Sequence, residues 1–516
     1  MLKMLNNQSL LVQNLLNSMD LNESQLDQLF NPKDLVMNDQ AFESMSDFFK
    51  NAHRLIICGD YDCDGVSATS IAYLLAKKLG KDVGYYIPNR LTEGYGVKSH
   101  TIQMAADKGY TDVLIIDNGV KSHTEVALAQ SLGMRVGIID HHLISDEIKA
   151  DAFLHPDLLG AYGYSMCAAG LVYALSEYMG CDDEYMLSLA ALATVGDVMP
   201  LWGKNREIVR RGVAALERNQ FLQFDLLVKR SRFTTYSAKL LAFQIVPKVN
   251  SVGRLADRAN VNTAVAYFVG DNKASINSYA MQMLALNNER KSLGQSYFKD
   301  AMKLVDGEVM NIVVSDDFHE GLLGIVANQV LVETQKPSLV LRRYDDVIKG
   351  SARSNSVSLS EVFNQLNPDY FIAFGGHDFA FGVSIKPECF EDFKNDVQHL
   401  VSVSAAIERT TNIIDFDPTW VDAESLDNLR SFEPFGTDFE LPLLKMALPK
   451  GYRVSPINGH GYKFVFGKFP IDEAVFFNTA YSLESMNQLE SLVGSIDLGS
   501  KYRVSFFVED IIKSVV

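Results

Sequence analysis

The feature that most constrains the fold is an alternation of short apolar segments with segments of helical spacing in the first 200 residues. Residues 55–58, 83–87, 113–116 and 136–139 are apolar and short enough to be buried strands. Strands that alternate with helices predict a parallel sheet covered by helices on both faces. We therefore predict an α/β fold for this part of the chain.

Charged or histidine side chains follow all four predicted strands. In chain order they are Asp60, Asp62 and Asp64, then Arg90, then Asp117, and finally Asp140, His141 and His142. The ligand crevice of a parallel sheet lies at the carboxyl ends of its strands. Unrelated polar loops would seldom place acids or histidines at so many ends of one sheet. The sequence therefore predicts a functional site at this edge.

The three acids of the turn 60–65 are spaced two residues apart. Carboxylates so close repel one another unless a cation neutralises them, although a capped acidic turn is the alternative for an isolated pattern. A further acid, Asp197, follows the apolar helical segment 187–195. Asp and His suit Mn²⁺ or Mg²⁺, and the lack of paired cysteines argues against structural zinc. Two such ions about 4 Å apart would assist phosphoryl transfer.

Residues 247–254 are polar and predict a loop, in which Arg254 suits either a phosphate clamp or a solvent-facing position. Residues 275–304 predict a long amphipathic helix that links two domains. A second α/β unit then begins near residue 310, with strands at 311–315 and 338–341. A helix at 322–333 lies between these strands.

Glycine-rich segments follow in this second unit, at residues 350–354 and 374–377. Gly-Gly-His alone more often marks a turn. Together with Ser351 and Arg353, however, His377 and the glycines predict a phosphate pocket, because glycines let backbone amides approach an anion. From about residue 407 the pattern predicts strands at 462–466, 474–477 and 502–508. A five-stranded barrel that binds single strands and a purely structural β-domain both remain open there.

The chain has 516 residues, enough for roughly three domains, and a net charge of −17. This acidity argues against a protein that coats nucleic acid, but a nuclease needs only a local basic channel. Residues 204–232 hold eight basic residues against three acidic ones and are the candidate channel. A solvated helix face is the alternative. The five unpaired cysteines, and the lack of a leader or an apolar run of ~18 residues, predict a cytoplasmic protein without membrane attachment.

Ten short motifs together resemble the DHH/DHHA1 phosphoesterase family, and within it the RecJ-type single-strand-specific 5′→3′ exonucleases. They span residues 59–65 (G-D-Y-D-C-D-G), 88–96 (P-N-R-L-T-E-G-Y-G), 116–119 (I-D-N-G), 140–142 (D-H-H), 196–201 (G-D-V-M-P-L), 250–254 (N-S-V-G-R), 319–327 (H-E-G-L-L-G-I-V-A), 350–354 (G-S-A-R-S), 375–377 (G-G-H) and 434–436 (P-F-G). The resemblance implies an N-terminal helical segment (1–50), a DHH catalytic domain (51–270), a connecting helix (271–305), a DHHA1 domain (306–405) and a C-terminal OB-fold (406–516).

The resemblance also implies roles for individual residues. Two divalent ions, Mn²⁺ or Mg²⁺, would be held by Asp62, Asp64, Asp117, His141 and Asp197, with Asp117 bridging. The catalytic set would be completed by His142 at the scissile phosphate, Arg254 and His377 facing the scissile region, and Asp60 behind the metal ligands. The substrate would contact Arg90, Ser351 and Arg353 through its 5′-phosphate, Tyr95 through a base, and Gly375 and Gly376.

Two features depart from the family pattern. Many members carry a histidine four residues before the second acid of the first motif, where this chain has Cys58. The thiol either weakens one metal site or packs in the core. Some members also continue past the OB-fold, so partner contacts made by such an extension are in question here.

These observations favour a metal-dependent enzyme that degrades single-stranded DNA from a 5′-phosphate, in recombination and repair. A phosphodiesterase for short oligonucleotides or dinucleotides is the second hypothesis, and an inactive replication scaffold is the third. We expect a monomer. A single-strand-binding protein or a helicase is the candidate protein partner.

Overall fold

The computed structural model describes residues 5, 7–31, 38–228, 235–407, 412–457, 461–467, 469–477, 483–487, 489–498 and 504–513. They contain three β-sheets of five, five and seven strands, in that order along the chain. Within these ranges, no helix combines the length and the apolar character that a membrane crossing requires.

The first sheet is entirely parallel, as the sequence predicts. Its strands are β1 (Arg54–Cys58), β2 (Asp82–Tyr86), β3 (Asp112–Ile116), β4 (Arg135–Ile139) and β5 (Ala152–Leu154), in the spatial order β2-β1-β3-β4-β5. All four predicted strands are present, and β5 is an addition. Because β1 lies between β2 and β3, the ends of these strands open onto one shared edge.

Helices surround this sheet. Those up to residue 269 are Leu10–Asn17, Glu23–Phe30, Asp39–Asn51, Cys63–Lys78, Ser99–Asp107, His123–Ser131, Ala168–Tyr178, Glu184–Gly196, Gly203–Asn219, Leu222–Asp225, Ala238–Leu240, Val246–Arg254 and Asn262–Val269. The helix Cys63–Lys78 is buried over most of its length, and Val66, Ile71 and Leu75 are inaccessible to solvent. A helix so enclosed by apolar neighbours holds the turn before it in a fixed position.

The prediction of a loop at residues 247–254 is wrong, because this segment is the helix Val246–Arg254. A π-helical segment, Leu241–Ile245, runs directly into this helix, and Pro247 lies in the first turn after it. Val249 and Val252 are fully buried and anchor one face of the helix. Arg254 is the last residue of the helix and not part of a solvent-facing loop.

The predicted connecting helix spans Lys273–Leu304 and leads to the second sheet. That sheet has the order β6-β7-β8-β10-β9, with β6 (Asn311–Ser315), β7 (Ser338–Arg343), β8 (Ile348–Arg353), β9 (Phe371–His377) and β10 (Ala380–Ile385). Its helices are Leu323–Thr334, Leu359–Gln365 and Phe390–Val403. The glycine-rich segments are strands and not turns, because Gly375 pairs with Gly382, which also pairs with Ser351.

The C-terminal region is β-rich, as expected, and forms one mixed sheet. Its strands are β11 (Ile413–Phe416), β12 (Leu443–Ala447), β13 (Arg453–Pro456), β14 (Tyr462–Val465), β15 (Glu473–Phe476), β16 (Leu489–Asp497) and β17 (Ser505–Lys513), in the order β11-β12-β16-β17-β15-β14-β13. The described strands number seven, not the five of the barrel we considered, and the start of the predicted strand 502–508 lies outside the described residues. The helices Leu10–Asn17 and Ala423–Arg430 pack together beside this sheet.

The basic segment 204–232 is largely engaged within the molecule where it is described. Lys204 Nζ lies 2.7 Å from a carboxylate oxygen of Glu177, and Arg211 lies 2.8 Å from the other oxygen. Arg206 is buried, with 8% of its surface exposed. Lys229, Arg230 and Arg232 lie outside the described residues. Lys204, Arg206 and Arg211 therefore stabilise the fold, whereas Arg210 is exposed.

Candidate metal centre and phosphate pocket

The carboxyl ends of three strands bring acids and histidines to one place. Asp60 and Asp62 follow β1, Asp117 follows β3, and His141 follows β4. Asp197 reaches the same place from the end of the helix Glu184–Gly196. Because the parallel strands end at a common edge, residues far apart in sequence become neighbours.

The turn 60–65 is shaped by a helix cap and a close backbone approach. Asp62 Oδ1 accepts hydrogen bonds from the N–H groups of Asp64 and Gly65, each at 3.0 Å, and so begins the helix Cys63–Lys78. A Cβ atom at Gly65 would lie 2.6 Å from the carbonyl oxygen of Asp60. Only glycine fits there, and the tight turn directs its acids towards the sheet edge.

A second helix start fixes Asp64. Its two carboxylate oxygens accept hydrogen bonds from the N–H groups of Ala168 at 2.8 Å and Ala169 at 2.9 Å. These groups lie at the N-terminus of the helix Ala168–Tyr178, where negative charge is favoured. The side chain of Asp64 is therefore held in one orientation.

His141 lies at the centre of the cluster. Its Nε2 is 3.2 Å from Asp117 Oδ1, 3.4 Å from Asp197 Oδ2 and 3.8 Å from Asp64 Oδ2. Burial, followed by the nearby His142, lowers the pKa of His141 to about 4. The ring is therefore neutral at pH 7, with a lone pair available to a metal ion.

Three overlapping groups of side chains could each hold a cation. They are Asp60, Asp62 and Asp117; Asp117, His141 and His142; and Asp64, His141 and Asp197, with the candidate ligand atoms of each group within 4.8 Å of one another. Asp117 belongs to two of the groups. A carboxylate shared in this way is the arrangement that a pair of neighbouring divalent ions requires.

The electrostatics of the cluster fit a bound cation. Asp60 Oδ1, Asp117 Oδ1 and Asp197 Oδ2 are buried and form no hydrogen bond within the described residues. Burial and then the charge of Asp64 raise the pKa of Asp117 far above its usual range and that of Asp197 to about 9. Burial and then Asp62 raise the pKa of Asp64 to about 6. Such acids ionise together only when positive charge joins them, so the residues present fit hard divalent ions.

Asp140 orients His142 and is not itself in these groups. Burial alone would raise the pKa of Asp140, but the hydrogen bonds and charge of its neighbours, His142 first, lower it to about 2. Its Oδ1 lies 2.8 Å from His142 Nδ1. The opposing Nε2 of His142 faces the hydroxyl of Tyr95 at 3.4 Å.

His155 forms a hydrogen bond with the backbone of the same histidine. Its Nδ1 accepts a hydrogen bond from the N–H of Asp157 at 3.2 Å, so the ring proton is on Nε2. That Nε2 donates to the carbonyl oxygen of His142 at 3.0 Å. His155 is buried, with 3% of its surface exposed. The backbone of the D-H-H turn is thereby held from both sides.

Cys58 packs in the core of the sheet. It is 1% exposed and lies among apolar side chains that include Ile56 and Ile115. Burial raises the pKa of its thiol to about 12. Of the two roles considered for Cys58, the structure supports the packing role.

A second site adjoins the first, in a cleft of about 600 Å³ between the first sheet and the second. Its lining includes Tyr61, Arg90, Tyr95, Arg254, Glu320, Lys349, Ser351, Arg353, Phe374 and Gly375. Arg353 donates hydrogen bonds to Ser351 Oγ and to the carbonyl oxygen of Ala352, both at 2.8 Å. These contacts hold its guanidinium group against the cleft.

The arginines of this cleft lack acidic partners within the described part of the chain. Arg90, Arg254 and Arg353 form no ion pair with any described residue, whereas Glu320 is neutralised by Lys349 at 3.1 Å. Burial and then Arg90 lower the pKa of Arg254 to about 10 and that of Arg353 below its usual value. Arginines that lower one another's pKa in this way are stabilised by a bound anion. The planar guanidinium group also matches the geometry of a phosphate.

Two tyrosines lie between the acids and the arginines. The guanidinium of Arg90 sits 5.0 Å above the ring of Tyr61. The ring centroids of Tyr61 and Tyr95 are 6.4 Å apart, and the Tyr95 hydroxyl donates to the carbonyl oxygen of Asp117 at 3.0 Å. Through these contacts the two sites adjoin one another, and we call them the acidic wall and the arginine wall.

Glu93 holds the loop that carries Arg90 and Tyr95. Its carboxylate accepts hydrogen bonds from the Tyr86 hydroxyl at 2.8 Å and from the N–H of Asn89 at 2.7 Å. His100 Nε2 lies 2.8 Å from the same carboxylate. This network fixes both ends of the loop.

The structure gathers the predicted acids and histidines 141 and 142 in the cluster, and it places Arg90, Tyr95, Arg254, Ser351, Arg353 and Gly375 in the cleft lining, whereas Gly376 and His377 are not part of that lining. Gly375, Gly376 and His377 lie on β9, and the charge of His377 contributes to the low pKa of His141. From the sequence we assigned no role to Asp140, Glu93 or His155. Asp140 could have been found because it directly precedes the two histidines, and Glu93 because it belongs to the E-G-Y-G motif. No local pattern marks His155, because its contact spans thirteen residues.

Comparison with known proteins agrees with this architecture. The family model described as "DHH family, N-terminal domain" matches residues 54–196, and the DHHA1 domain model matches residues 306–403. The chain therefore contains a DHH domain and a DHHA1 domain. It is related in sequence and in fold to the RecJ exonucleases.

Individual relatives show how close the likeness is. The chain is 29% identical to the single-stranded-DNA-specific exonuclease RecJ of Salmonella typhimurium over 445 residues, which cover 78% of this chain and 77% of the relative. The fold matches RecJ of Thermus thermophilus in complex with Mn²⁺ with a TM-score of 0.79, at 23% identity, over 95% of this chain and 74% of that one. A RecJ exonuclease bound to manganese matches with a TM-score of 0.61, at 27% identity, over 72% and 96% of the two chains.

Proposed function

We propose that this protein is a metal-dependent exonuclease that hydrolyses single-stranded DNA from its 5′ end, in recombination and repair. The observation that carries the proposal is one cleft with two opposite charge demands. Among the described residues, orphaned buried carboxylate oxygens require cations at one wall, and unpaired arginines require an anion at the other. Divalent ions would meet the first demand, and the terminal phosphate of a nucleic-acid strand would meet the second.

The metal ligands in this proposal are Asp62, Asp64, Asp117, His141 and Asp197, with Asp117 shared. Two divalent ions bound there would lower the pKa of water and neutralise charge on the reacting phosphate. Asp60 belongs to one of the three groups, so we extend its role from support of the ligands to a candidate ligand.

His142 is suited to contact the scissile phosphate. Burial alone would lower the pKa of His142, but the hydrogen bond with Asp140 outweighs it and raises the pKa. With Nδ1 committed to Asp140, a protonated ring offers its Nε2–H to a phosphate oxygen. Arg254 and His377 would face the same region from the opposite wall.

The arginine side of the cleft gives the reaction its direction. Arg90, Ser351 and Arg353 would hold the 5′-terminal phosphate, with Gly375 and Gly376 leaving room for the terminal nucleotide. Tyr95 has 46% of its surface exposed and would stack on a base. A strand anchored by its terminal phosphate presents only a bond near that end to the acids, which makes the enzyme an exonuclease.

The relatives support the choice of substrate, since the Salmonella protein is a single-stranded-DNA-specific exonuclease. A role on DNA implies the cytoplasm as the place of action. We keep a single-strand-binding protein or a helicase as the expected partner and a monomer as the expected state. The domain division given by the resemblance is part of the same proposal.

The test compares two labels on one 5′-phosphorylated single strand incubated with Mn²⁺. A 5′ label should leave as a mononucleotide at once, while a 3′ label should stay on long fragments until late. A dinucleotide and a duplex of the same sequence serve as matched substrates. Early release of the 3′ label, or faster turnover of the dinucleotide, would contradict the proposal, and binding without any cleavage would favour the scaffold.

A further inference from the structure

The loop that carries Asp197 is contacted by the C-terminal domain. Asp197 ends the helix Glu184–Gly196, and its N–H donates to the carbonyl oxygen of Ala193 at 2.8 Å. The next residue, Val198, has a φ of +57°. A β-branched residue seldom adopts this left-handed conformation, which persists only where surrounding contacts hold it.

The contacts that hold the far end of this loop come from residues 432–439, which we call the docking turn. The N–H of Leu201 donates to the carbonyl oxygen of Thr437 at 2.9 Å. The indole N–H of Trp202 donates to the carbonyl oxygen of Asp438, also at 2.9 Å. The rings of Trp202 and Phe439 pack edge to face, with centroids 4.8 Å apart. Leu201 is only four residues from the proposed metal ligand.

Arg206 secures the docking turn from the other side. Its guanidinium donates to the carbonyl oxygens of Pro434 at 2.8 Å and Phe432 at 2.6 Å, and it lies 4.8 Å above the ring of Phe439. These acceptors are main-chain oxygens, so the contact of Arg206 depends on the backbone conformation of the docking turn and not on its side chains. Its planar fork suits two divergent carbonyl groups.

Asn205 ties the same loop to the rest of the first domain. Its side-chain amide donates to the carbonyl oxygen of Pro200 at 3.1 Å and to that of Ser165 at 2.8 Å. Residue 165 lies just before the helix whose N-terminus binds Asp64. The loop is therefore one link in a packed chain from the docking turn to the acids.

We propose that the docking turn of the C-terminal domain positions Asp197 for metal binding, with Arg206 and Trp202 as positioning residues. The inference rests on the proposed metal centre and assigns the C-terminal domain a part in building it. Because coupling between two sites is reciprocal, a metal ion bound at Asp197 would in turn stabilise the contact between this loop and the docking turn.

The test is a calorimetric titration of the metal-free full chain with Mn²⁺, done on Arg206→Ala and on wild type. We expect Arg206→Ala to bind the weaker ion with about tenfold higher Kd, and saturating Mn²⁺ to restore kcat on a 5′-phosphorylated strand to within about twofold. Arg206→Lys should lie between the two, because it keeps the charge but loses the fork.

Arg211→Ala is the matched control. Arg211 lies on the same helix and pairs with Glu177 and Glu207. The Arg211→Ala variant should bind Mn²⁺ with the same Kd as the wild-type protein. Trp202→Phe keeps an aromatic ring against Phe439 but removes the indole N–H and part of the ring area, so it provides a milder variant, with an expected rise in Kd of about threefold.

The outcomes separate the two proposals. A lower melting temperature in chelator with an unchanged Mn²⁺ isotherm in both Arg206→Ala and Trp202→Phe would overturn the positioning role and leave the metal centre intact. If Arg206→Ala does not fold, the isotherm of Trp202→Phe decides alone. A wild-type protein that takes up no Mn²⁺ would instead overturn the proposed function itself.

Discussion

The two walls of the cleft are built on opposite principles. The acidic wall concentrates negative charge in a buried place, and its carboxyl pKa values are raised by burial and mutual repulsion. The arginine wall concentrates positive charge, and its guanidinium pKa values are lowered by burial and by neighbouring arginines. Each wall lacks the counter-charge that would neutralise it within the described residues.

The difference shows how the two walls can determine separately which bond is cleaved and which end of the strand is bound. The acidic wall is suited to metal ions and hence to bond cleavage. The arginine wall is suited to a phosphate that is held and not cut. The two tyrosines set the separation between them. Changes at the acidic wall should therefore abolish turnover, whereas changes at the arginine wall should alter the choice of strand end.

The largest effect should come from Asp117, which is shared between two candidate groups. Asp117→Ala removes a ligand that both ions require, so we expect cleavage to fall by about 10³-fold or more and Mn²⁺ uptake to be lost. Asp300→Ala, at an exposed carboxylate that pairs with Lys303 on the connecting helix, is the control and should cleave normally. Substantial activity in Asp117→Ala would show that the acidic wall is not the reactive one.

The second prediction uses pH to distinguish the walls. The pKa of Asp197 is raised to about 9 in the metal-free fold, so a proton must leave when a cation binds. Apparent Mn²⁺ affinity should then rise with pH, by up to about 100-fold between pH 6 and pH 8 for one displaced proton. Asp197→Asn should show a flatter profile, measured by calorimetry.

The same shift sets the stability of the metal-free protein. Because the folded-state pKa of Asp197 lies above its unfolded value, the folded state binds the extra proton. Its contribution is fully present below about pH 4 and is lost as pH rises through about 9. The positive charge of Arg254 in the arginine wall should vary little over pH 6 to 8, because its pKa of about 10 lies above this range. Any change in 5′-phosphate binding over this range should therefore follow the second ionisation of the phosphate, at about pH 6.

The third prediction concerns the strand end. Arg353→Ala removes charge-assisted hydrogen bonds of about 2 kcal/mol, so KM for a 5′-phosphorylated strand should rise about 30-fold. KM for the 5′-hydroxyl strand should barely change. Arg343→Ala is the control, because Arg343 stacks on Phe390 outside the cleft. Equal losses on both strands would mean that Arg353 has a general structural role.

The smallest effect should follow from Glu93→Gln. Glutamine keeps one acceptor oxygen, but its NH₂ group replaces the other oxygen and cannot accept hydrogen bonds from donors such as Tyr86 and His100. We expect about a fivefold rise in KM with little change in kcat, because the loop with Arg90 loosens while the acids stay in place. Glu125→Gln, where Ser99 is the donor, should behave as wild type.

The acidic wall could be predicted from the sequence because its residues follow local signals. Each apolar strand is recognisable by itself, and the rule that parallel strands end together places Asp60, Asp117 and His141 side by side. The C-terminal end of an apolar helix marks Asp197 in the same way. No long-range information is needed for these assignments.

The arginine wall could be predicted only in part, because its backbone was misread. Residues 247–254 look polar, yet buried Val249 and Val252 make them a helix, which tertiary packing decides. Gly-Gly-His at residues 375–377, taken alone, suggests a turn, yet Gly375 pairs with Gly382 across two strands. Arg206 binds carbonyl groups of the docking turn that lie more than 220 residues away in the sequence, and no sequence pattern predicts such a contact.

One measurement tests the account most directly: the crystal structure of the protein soaked with Mn²⁺ and a 5′-phosphorylated, cleavage-resistant single strand. We expect two manganese ions joined by Asp117 and the terminal phosphate between Arg90 and Arg353. A 3′ end in the arginine pocket, or manganese away from Asp117, would contradict it.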